Sequence, residues 1–513
     1  MRPRFSVTRF TVTSALFLSG LFAIGSLSVN ADTDLPIEPL QIGHAPQFFV
    51  DDYLVDNRWA LKKREEFLVR TVHQPVKHRG NPLLPGRGGY VNVVWDEEAK
   101  LYRMVYQDFW YYSKDPLKYT YAVAYAESQD GIEWDTPDLG FYQWKNTRQN
   151  NICWQVPSDR DGPVSTGAYS QYLLNIPPEH RRGYKFVMYY VGPTGVHLIG
   201  SNDCIHWDEK SVTQIGRNFH PDTHASIVWD PAQKKFVWFT RATDRYSDSD
   251  NLTRGATRRV ARLENTKLWD PWPLQTQNIF IPDAEDAAAR TENVDGTNFF
   301  YGMPTRYHAG IYWGCLWPYR LKAGLIETHL AISRNGRLFE RLPGRPTLIG
   351  RGPEGAWDAG MIFASPDWIE VGDQWRIYYG GSDRPHNLER TPGIGLATIR
   401  KEGFVSLRGP QHGGVVCTRR IIWPGGSLHV NCDTTLPDVK PGELKVRIVD
   451  AARQVIPGFG YSDSIPFTGD SISHEVTWQD QQIDALQGRE LRLEFFLTRA
   501  DLFTFRAVAP GSD

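Results

Sequence analysis

Three aspartates occupy comparable places in the chain, each directly before a strand-like apolar run. Asp222 precedes SIVW, Asp295 precedes FFYG, and Asp358 precedes MIFA. Carboxylates held close together repel one another and lose solvation, so one stays protonated beside an ionised partner. A protonated acid beside an ionised base is the arrangement that cleavage of a glycosidic bond requires. We therefore predict that these three aspartates are catalytic, although a plain role as turn or strand-start caps is the alternative for each.

The three carboxylates are predicted to have different roles. Asp222 is the candidate general base or water-positioning group, and Asp358 is the candidate for orienting the substrate or stabilising positive charge at the anomeric carbon. Asp295 is favoured by position as the general acid. Three glutamates remain rivals for that last role: Glu292, Glu327 and Glu354.

Further polar and aromatic residues are candidates for substrate contacts. His224 is two residues from Asp222 and shares its strand face, which suits a hydrogen bond to a sugar hydroxyl; a buried histidine bonded to backbone is the alternative. The remaining candidates are Asn92, Asn298, Arg306, Trp357, Asp383 and His386. HPDTH also offers His220, Asp222 and His224 as alternating metal ligands, but it provides no fourth ligand. We predict no metal and no cofactor.

A loose repeat must position these residues. Five units read as strand, short turn and strand: YVNVVWDEEAKLYRMVYQ, YSQYLLNIPPEHRRGYKFVMYYV, SIVWDPAQKKFVWFTRA, FFYGMPTRYHAGIYWGCLWPY and MIFASPDWIEVGDQWRIYYGG. Such units cannot bury their faces alone and are typical of a radial arrangement. The sequence predicts a five-bladed β-propeller, whose inner strands would bring the three aspartates to one mouth. FFVDDYLV, residues 48–55, is predicted to complete the last blade.

Several units end in a shared corner of the form SxDGxxW. It occurs as SQDGIEW, SNDCIHW and SRNGRLF, starting at Ser128, Ser201 and Ser333. Asp or Asn followed by Gly suits a tight turn, and the last aromatic residue can pack between sheets. We predict a structural role for these corners.

The chain as a whole is predicted to be all-β, with two folded domains. Helical periodicity is nearly absent, whereas Trp, Tyr and Phe number 18, 23 and 25. The propeller is expected over residues 32–403. The strands SLHVNCD, ELKVRIVD, HEVTW and RLEFFL predict an accessory β-sandwich over residues 404–513.

Residues 1–31 have the form of a secretory signal peptide, with three arginines, an apolar run and Ala31 before the cleavage point. A retained membrane anchor is the alternative. Cleavage removes three of 57 basic and none of 59 acidic residues, leaving a net charge of about −5. We predict a secreted or periplasmic protein that binds a carbohydrate, with no nucleic-acid partner and no membrane partner after cleavage. The oligomeric state is not predicted.

The five cysteines allow at most two disulfides. Cys417 and Cys432 flank a PGG turn and would face each other if that turn closed a hairpin. The sequence is compatible with a disulfide between these two cysteines and equally with two buried thiols.

The chain resembles secreted bacterial proteins of the glycosyl hydrolase family 32-like group. The stretches that carry the resemblance are FFVDDYLV, PDTHASIVWDP, WDAGMIFASP, WRIYYGGSD, GIGLATIRKEGFVSL, PGFGYSDS and LRLEFFLTRADLFTFR. The resemblance implies a five-bladed propeller glycosidase with a C-terminal β-sandwich. The invertase hallmark Asn-Asp-Pro-Asn-Gly, the RDP motif and the EC motif are missing, and Asn92 stands where a nucleophilic Asp would be wanted.

Two other functions stay open. One is a propeller that binds glycans or a protein without catalysis. The other is a lyase acting on acidic polysaccharides, for which a basic cleft would be needed. Five arginines could supply it, although a solvated loop explains them more simply: Arg241, Arg245, Arg254, Arg258 and Arg259. The sugar, the linkage and the stereochemical outcome are not determined by the sequence.

Overall fold

The computed structural model describes residues 38–56, 68–114, 117–156, 167–221, 223–241, 258–288, 299–386, 388–436 and 440–511. Contacts divide the chain into two compact units, Met1–Pro39 and Leu40–Asp513, and the account below concerns the second. The described part is nearly all β, as predicted. Its one α-helix is Ala284–Ala288, and its 3-10 turns are Pro178–His180, Glu209–Ser211 and Ile483–Leu486. None of its helices is long and apolar enough to cross a membrane.

Short strands precede the first long hairpin: β1 (Leu40–Gln41), β2 (Gln47–Phe48), β3 (Val69–Val72), β4 (Val76–Lys77) and β5 (Leu84–Pro85). Three four-stranded antiparallel sheets follow in chain order, each pairing consecutive strands. Sheet 1 comprises β6 (Val91–Asp96), β7 (Leu101–Lys114), β8 (Leu117–Ser128) and β9 (Ile152–Trp154). Sheet 2 comprises β10 (Tyr169–Leu173), β11 (Phe186–Gly192), β12 (Gly195–Ser201) and β13 (Thr213–Arg217). Sheet 3 comprises β14 (Ser226–Asp230), β15 (Lys235–Arg241), β16 (Val260–Asn265) and β17 (Gln277–Phe280).

The next strands form two further sheets. In chain order they are β18 (Phe299–Phe300), β19 (Thr305–His308), β20 (Ile311–Leu316), β21 (Pro318–Arg320), β22 (Leu325–Ile326), β23 (Thr328–Ser333), β24 (Glu340–Arg341), β25 (Thr347–Ile349), β26 (Met361–Val371), β27 (Gln374–Ser382) and β28 (Pro392–Arg400). Sheet 4 has the order β19-β20-β23, with β24 and β25 both pairing β23. Sheet 5 has the order β26-β27-β28, and the early strands β4 and β5 pair with β28 at its edge. The small strands β18, β21 and β22 extend sheet 5 beyond β26.

Each of these sheets packs on the next through a buried apolar cluster. Representative pairs are Tyr125 with Tyr190 for sheets 1 and 2, Leu198 with Trp238 for sheets 2 and 3, Phe239 with Tyr312 for sheets 3 and 4, Ile332 with Ile362 for sheets 4 and 5, and Tyr378 with Tyr106 for sheets 5 and 1. The series of interfaces therefore returns to sheet 1. Because each sheet offers apolar side chains on both faces, none is left with an apolar face towards solvent.

The remaining strands are β29 (Val405–Arg408), β30 (Gly414–Cys417), β31 (Ile421–Ile422), β32 (Ser427–Asp433), β33 (Glu443–Val449), β34 (Asp470–Val476), β35 (Glu490–Thr498) and β36 (Asp501–Val508). They form two sheets that also recruit N-terminal strands. Sheet 6 contains β1, β30, β31, β33 and β35, and sheet 7 contains β2, β3, β29, β32, β34 and β36. Both sheets contribute to one apolar cluster, as Ile448 and Phe495 from sheet 6 and Val430 and Phe505 from sheet 7 illustrate. The boundary at residues 403 and 404 stays a prediction.

The repeated corners are structural, as predicted. In the first corner Gly131 donates its N–H to Ser128 Oγ at 2.8 Å, and Asp130 Oδ1 accepts the N–H groups of Ile132 and Glu133 at 2.8 and 2.9 Å. The corners at Ser201 and Ser333 repeat these bonds. The residue at the turn has a positive φ in all three corners: +73° at Gly131, +61° at Cys204 and +68° at Gly336. The second corner therefore accepts a left-handed non-glycine residue.

Two expectations about connections are wrong. Gln47–Phe48 pair with β36 of sheet 7, so residues 48–55 do not complete sheet 5; β4 and β5 do this instead. The PGG turn does not close a hairpin between Cys417 and Cys432, because β30 pairs with β35 while β32 pairs with β34 and β36. Cys417 and Cys432 are both buried, and no disulfide joins them.

Candidate functional site

Five aromatic side chains pack together beside strands of sheets 1, 3, 4 and 5, and we call them the mouth cluster: Tyr90, His224, Tyr301, Trp317 and Phe363. The rings of Tyr90 and His224 stack at 4.9 Å and 7°, and those of Tyr90 and Trp317 stack at 5.6 Å and 8°. Phe363 places its edge against Tyr90 and Trp317 at 5.5 and 5.0 Å and tilts against Tyr301 at 5.6 Å. These residues therefore form one aromatic cluster, in which every side chain is at most 9% exposed.

Two polar atoms of the mouth cluster have no hydrogen-bond partner in the part of the chain that the structure describes. The His224 side chain is 1% exposed, its ring is bonded to the Gln171 backbone, and its Nε2 atom is unpartnered. The Trp317 indole Nε1 is unpartnered as well. Burial lowers the pKa of His224 to about 3, so the imidazole is neutral near pH 7. Buried polar atoms without partners are costly, which makes these two candidates for bonding a ligand.

Arginines and tyrosines border the mouth cluster. The guanidinium groups of Arg241 and Arg258 lie 5.2 and 4.8 Å from the Tyr301 ring centre. Arg258 also lies 5.3 Å from the Tyr319 ring centre. Arg241 is 8% exposed and Arg259 is 2% exposed, and Arg258 is half-buried, so the solvated-loop interpretation is wrong for these three. Arg245 and Arg254 lie outside the described residues.

His386, predicted as a substrate contact, belongs to this border. Its Nε2 lies 2.9 Å from the Tyr301 hydroxyl, and its ring packs against Tyr319 at 5.4 Å. Asp383, from the same loop, accepts the backbone N–H of Thr391 at 2.7 Å and so closes the base of the loop. The structure therefore brings His386 to the mouth cluster and gives Asp383 a bond within its own loop.

Glu327 lies directly before β23 with its carboxylate between two basic side chains. Its Oε1 is 3.2 Å from both His329 Nε2 and Arg320 Nη2. The hydrogen bond with His329 and the charge of Arg320 outweigh burial and lower the pKa of Glu327 to about 2. A carboxylate held ionised suits charge stabilisation better than proton donation. Glu354, the other described rival, is exposed.

Asp358 is buried, with its carboxylate already bonded. Its Oδ2 accepts hydrogen bonds from Lys77 Nζ at 2.6 Å and from the Tyr379 hydroxyl at 3.3 Å. Lys77 belongs to β4, so the ion pair ties an N-terminal strand to the loop before β26. The sequence pattern gave no signal for Lys77, because the residue is 281 positions away.

Trp357 lies beside Asp358 and explains a glycine-rich motif. Its ring stacks on Tyr379 at 5.6 Å. A Cβ at Gly381 or Gly393 would come within 2.6 Å of the Trp357 ring, and one at Gly380 would come within 1.8 Å of the Gly89 carbonyl oxygen. WDAG and YYGGSD are therefore one packing unit, in which glycine makes room for the tryptophan.

Asn92 and Arg306 belong to a second group, which we call the far-end cluster: Asn92, Tyr172, Arg306, Asp367 and Trp368. The Tyr172 ring packs against His224 of the mouth cluster at 5.3 Å. Asp367 accepts hydrogen bonds from Tyr172 Oη at 3.1 Å and Asn92 Nδ2 at 3.3 Å. Arg306 donates to the Trp368 carbonyl at 2.9 Å and lies over its ring at 4.6 Å. Burial raises the pKa of Asp367, against the opposing charge of Arg306. Asp367 was not among the predicted residues, because a single Asp inside the strand pattern carries no motif.

An aromatic hairpin extends past the mouth cluster and was also not predicted. Phe109 and Tyr111 on β7 and Tyr119 and Tyr121 on β8 contact one another at ring distances of 5.2 to 6.4 Å. At its base Tyr121 packs on Tyr169 of sheet 2 at 5.5 Å. Tyr119 is 42% exposed. Aromatic faces of this kind can stack on sugar rings.

Several predicted residues lie outside the described part of the chain: Asp222, Asp295, Asn298 and Glu292. Their catalytic and binding roles stay predictions. Asp222 directly precedes Thr223, whose hydroxyl donates to the Tyr301 carbonyl at 3.1 Å. Among the residues that the structure does describe, no group of three or more His, Cys, Asp and Glu side chains could hold a metal ion.

Comparisons with known proteins give only remote similarity. No protein-family model matches the chain, and no curated protein matches it. Among solved structures, one named "Glycoside hydrolase" is 14% identical over 68% of this chain and 96% of its own, with a TM-score of 0.43. A thermostable family-43 glycoside hydrolase is 14% identical over 66% and 96%, with a TM-score of 0.41. An N-acetylgalactosamine deacetylase from F. plautii, in complex with blood group B trisaccharide, is 15% identical over 66% and 96%, with a TM-score of 0.42. Because these TM-scores are below 0.5, the conclusions below rest on the residues of this chain.

Proposed function

We propose that the protein is an exported glycoside hydrolase that cleaves an oligo- or polysaccharide by carboxylate acid/base catalysis. In this proposal sheets 1 to 5 are the blades of a five-bladed β-propeller, and sheets 6 and 7 are an accessory β-sandwich. Support comes from the five successive interfaces that return to sheet 1 and from the apolar cluster shared by sheets 6 and 7.

The observation that carries the proposal is the mouth cluster. Aromatic rings can stack on the apolar faces of sugar rings. The buried His224 Nε2 and Trp317 Nε1 atoms have no hydrogen-bond partner among the described residues, so a ligand could supply one. Sugar hydroxyls can both donate and accept, so they can satisfy an imidazole nitrogen and an indole N–H. The catalytic candidate Asp222 is two residues from His224 in the sequence.

In the proposed reaction each carboxylate has a different role. Asp222 would activate or position the water, and Asp295 would protonate the leaving oxygen. Asp358, held by Lys77 and Tyr379, would orient the substrate or stabilise positive charge at the anomeric carbon. Glu327 would add a fixed negative charge at the mouth.

A product screen on a glycan library tests this proposal directly. Wild-type protein should release shorter saccharides from at least one glycan. Asp222→Asn and Asp295→Asn should each lower turnover by roughly 10²- to 10⁴-fold, the usual contribution of acid/base catalysis. The melting temperature should stay at the wild-type value, which separates lost chemistry from lost folding. Unchanged turnover in both variants would refute the assignment.

A binding protein without catalysis is the second candidate, and the state of Asp358 favours it. A carboxylate already paired with a lysine and a tyrosine is less available to a substrate than a free one. Asp358→Asn decides between the two: a loss of turnover with glycan affinity retained supports catalysis. Glycan binding by the wild type with no product from any library member would favour the binding protein.

A further inference from the structure

Several enclosed arginines of the described chain pair with a carboxylate and Arg306 donates to a backbone carbonyl, whereas Arg258 has neither kind of partner among the described residues. Its guanidinium lies over the rings of Tyr301 and Tyr319, and its Nη1 atom is buried without a hydrogen-bond partner. No ion pair joins it to a carboxylate among the residues that the structure describes. The tyrosines hold the cation in place without neutralising its charge.

Other enclosed arginines show what is missing. Arg103 pairs with Asp96 at 2.7 Å, Arg341 pairs with Asp286 at 2.7 Å, and Arg492 pairs with Asp56 at 2.9 Å. A half-buried guanidinium without a counterion is unfavourable in the empty protein, since part of its solvation is lost and nothing charged replaces it. An arginine kept in this state is a candidate for pairing with a charge on a ligand.

Glu327 directly follows Ile326, which pairs with Tyr319, and its carboxylate has its own partners. Glu327 lies 3.2 Å from Arg320 and from His329. Arg258 and Glu327 therefore each carry charge into the same region without depending on one another. Of the two rings that contact Arg258, Tyr301 is a member of the mouth cluster, where it also contacts Phe363 at 5.6 Å.

We propose that Arg258 binds an anionic group of the saccharide, so that the substrate is an acidic glycan carrying a carboxylate or a sulfate. This inference rests on the proposed function of the same mouth. The planar guanidinium matches both oxyanions, because two of its N–H groups can bond two oxygens at once. The tyrosines would pack on the sugar ring that carries the anion.

Calorimetric titration of the mature protein tests the inference with matched ligands. The probes are oligosaccharides of polygalacturonate, alginate and hyaluronan, each beside its carboxyl-reduced form, and of heparan sulfate beside its desulfated form. Wild-type protein should bind at least one acidic probe about tenfold or more tightly than its neutral form, the strength expected of a charge-assisted bond. The paired probes also distinguish carboxylate from sulfate.

Three variants locate the effect. Arg258→Gln should remove the preference for the acidic probe. Arg258→Lys should keep part of it, because the charge remains but the paired N–H groups of the guanidinium are lost. Arg217→Gln makes the same charge change at an exposed position on β13 and should keep the whole preference. Equal wild-type affinity for acidic and neutral forms would overturn the inference, as would an undiminished preference in Arg258→Gln.

The failure of this inference can be told apart from failure of the proposed function. If the protein hydrolyses a neutral glycan and Arg258→Gln does not change the rate, the proposal of an acidic substrate is wrong. The proposal of glycoside hydrolysis is then still supported. Acidic-glycan binding that depends on Arg258, with no product or with unsaturated products of elimination, would support the inference and reject hydrolysis.

Discussion

The mouth cluster and the far-end cluster both draw on sheets 1, 4 and 5, yet they treat polar atoms differently. At the mouth, His224 Nε2 and Trp317 Nε1 are buried without partners, and Arg258 has no counterion in the described chain. At the far end, both oxygens of Asp367 are bonded, and Arg306 donates to a carbonyl. Asn92 Oδ1 and Arg306 Nε are also buried without partners among the described residues, so the clearer contrast concerns charge: Asp367 is bonded at both oxygens, whereas Arg258 has no carboxylate partner there.

We infer from this difference that the mouth cluster contributes mainly to ligand binding and the far-end cluster mainly to the stability of the fold. A buried polar group without a partner costs roughly 1 to 3 kcal/mol, so the mouth lowers the stability of the empty protein. A ligand that supplies the partners would recover that free energy on binding. The far-end network links sheets 1, 2, 4 and 5 through Asn92, Tyr172, Arg306 and Asp367, so its disruption should weaken the fold. Three predictions test this division.

The largest effect is expected from Asp367→Ala. The change leaves the Tyr172 hydroxyl and the Asn92 amide without their buried acceptor and removes the negative charge nearest Arg306, which should cost about 3 to 5 kcal/mol of unfolding free energy. Urea unfolding followed by tryptophan fluorescence measures the loss. Tyr172→Phe removes one donor only and should cost about 1 kcal/mol.

Glycan binding by the folded fraction of Asp367→Ala should match that of the wild type. If instead binding or turnover disappears while unfolding is unaltered, the far-end cluster belongs to the functional site and the division fails.

A smaller effect is expected from His224→Gln, and it depends on pH. Burial lowers the pKa of His224 to about 3, whereas an unfolded histidine titrates near 6.5. The unfolded chain therefore takes up the proton first, so stability is complete above pH 6.5 and is lost as the pH falls towards 3. Between pH 7 and pH 4 the variant should gain about 2 to 3 kcal/mol relative to wild type.

His220→Gln, at an exposed position, serves as the control and should track the wild type at every pH. A pH-independent difference between His224→Gln and wild type would mean that the His224 imidazole is accessible to protons in the folded state. The mouth would then be more open than the buried ring indicates.

The smallest effect is expected at the repeated corners, which lie away from both clusters. Ser128→Ala, Ser201→Ala and Ser333→Ala each remove an acceptor for two backbone N–H groups and should each cost about 1 to 2 kcal/mol. Three similar values, with glycan binding unchanged, would confirm that the corners only support the fold. Exposed Ser462→Ala should cost less than any of them.

Local pattern was a good guide to local structure. Alternating strands and turn residues predicted an all-β chain, and the SxDG spacing predicted three corners whose hydrogen bonds recur. Pairing between distant segments was not predictable, because nothing in FFVDDYLV distinguishes an edge strand of sheet 5 from one of sheet 7. The same limit applies to Cys417 and Cys432, whose turn suits a hairpin that the strand order does not form.

The candidate site divides in the same way. His224 and His386 were predicted near a mouth and do contact the mouth cluster. Tyr90, Tyr301 and Trp317 were missed, since aromatic residues are so frequent in this chain that composition cannot separate a binding ring from a packing ring. Lys77 and Asp367 were missed because their importance comes from partners that are 281 and 275 positions away.

The way the first strands pair has a consequence for biosynthesis. β4 and β5 add to the edge strand at residues 392–400, and β3 adds to β29, so these three early strands cannot pair until about four fifths of the chain has left the ribosome. Late closure of this kind favours slow folding and leaves an unpaired edge open to aggregation in the meantime. A truncation that removed residues 69–85 would make that temporary exposure permanent.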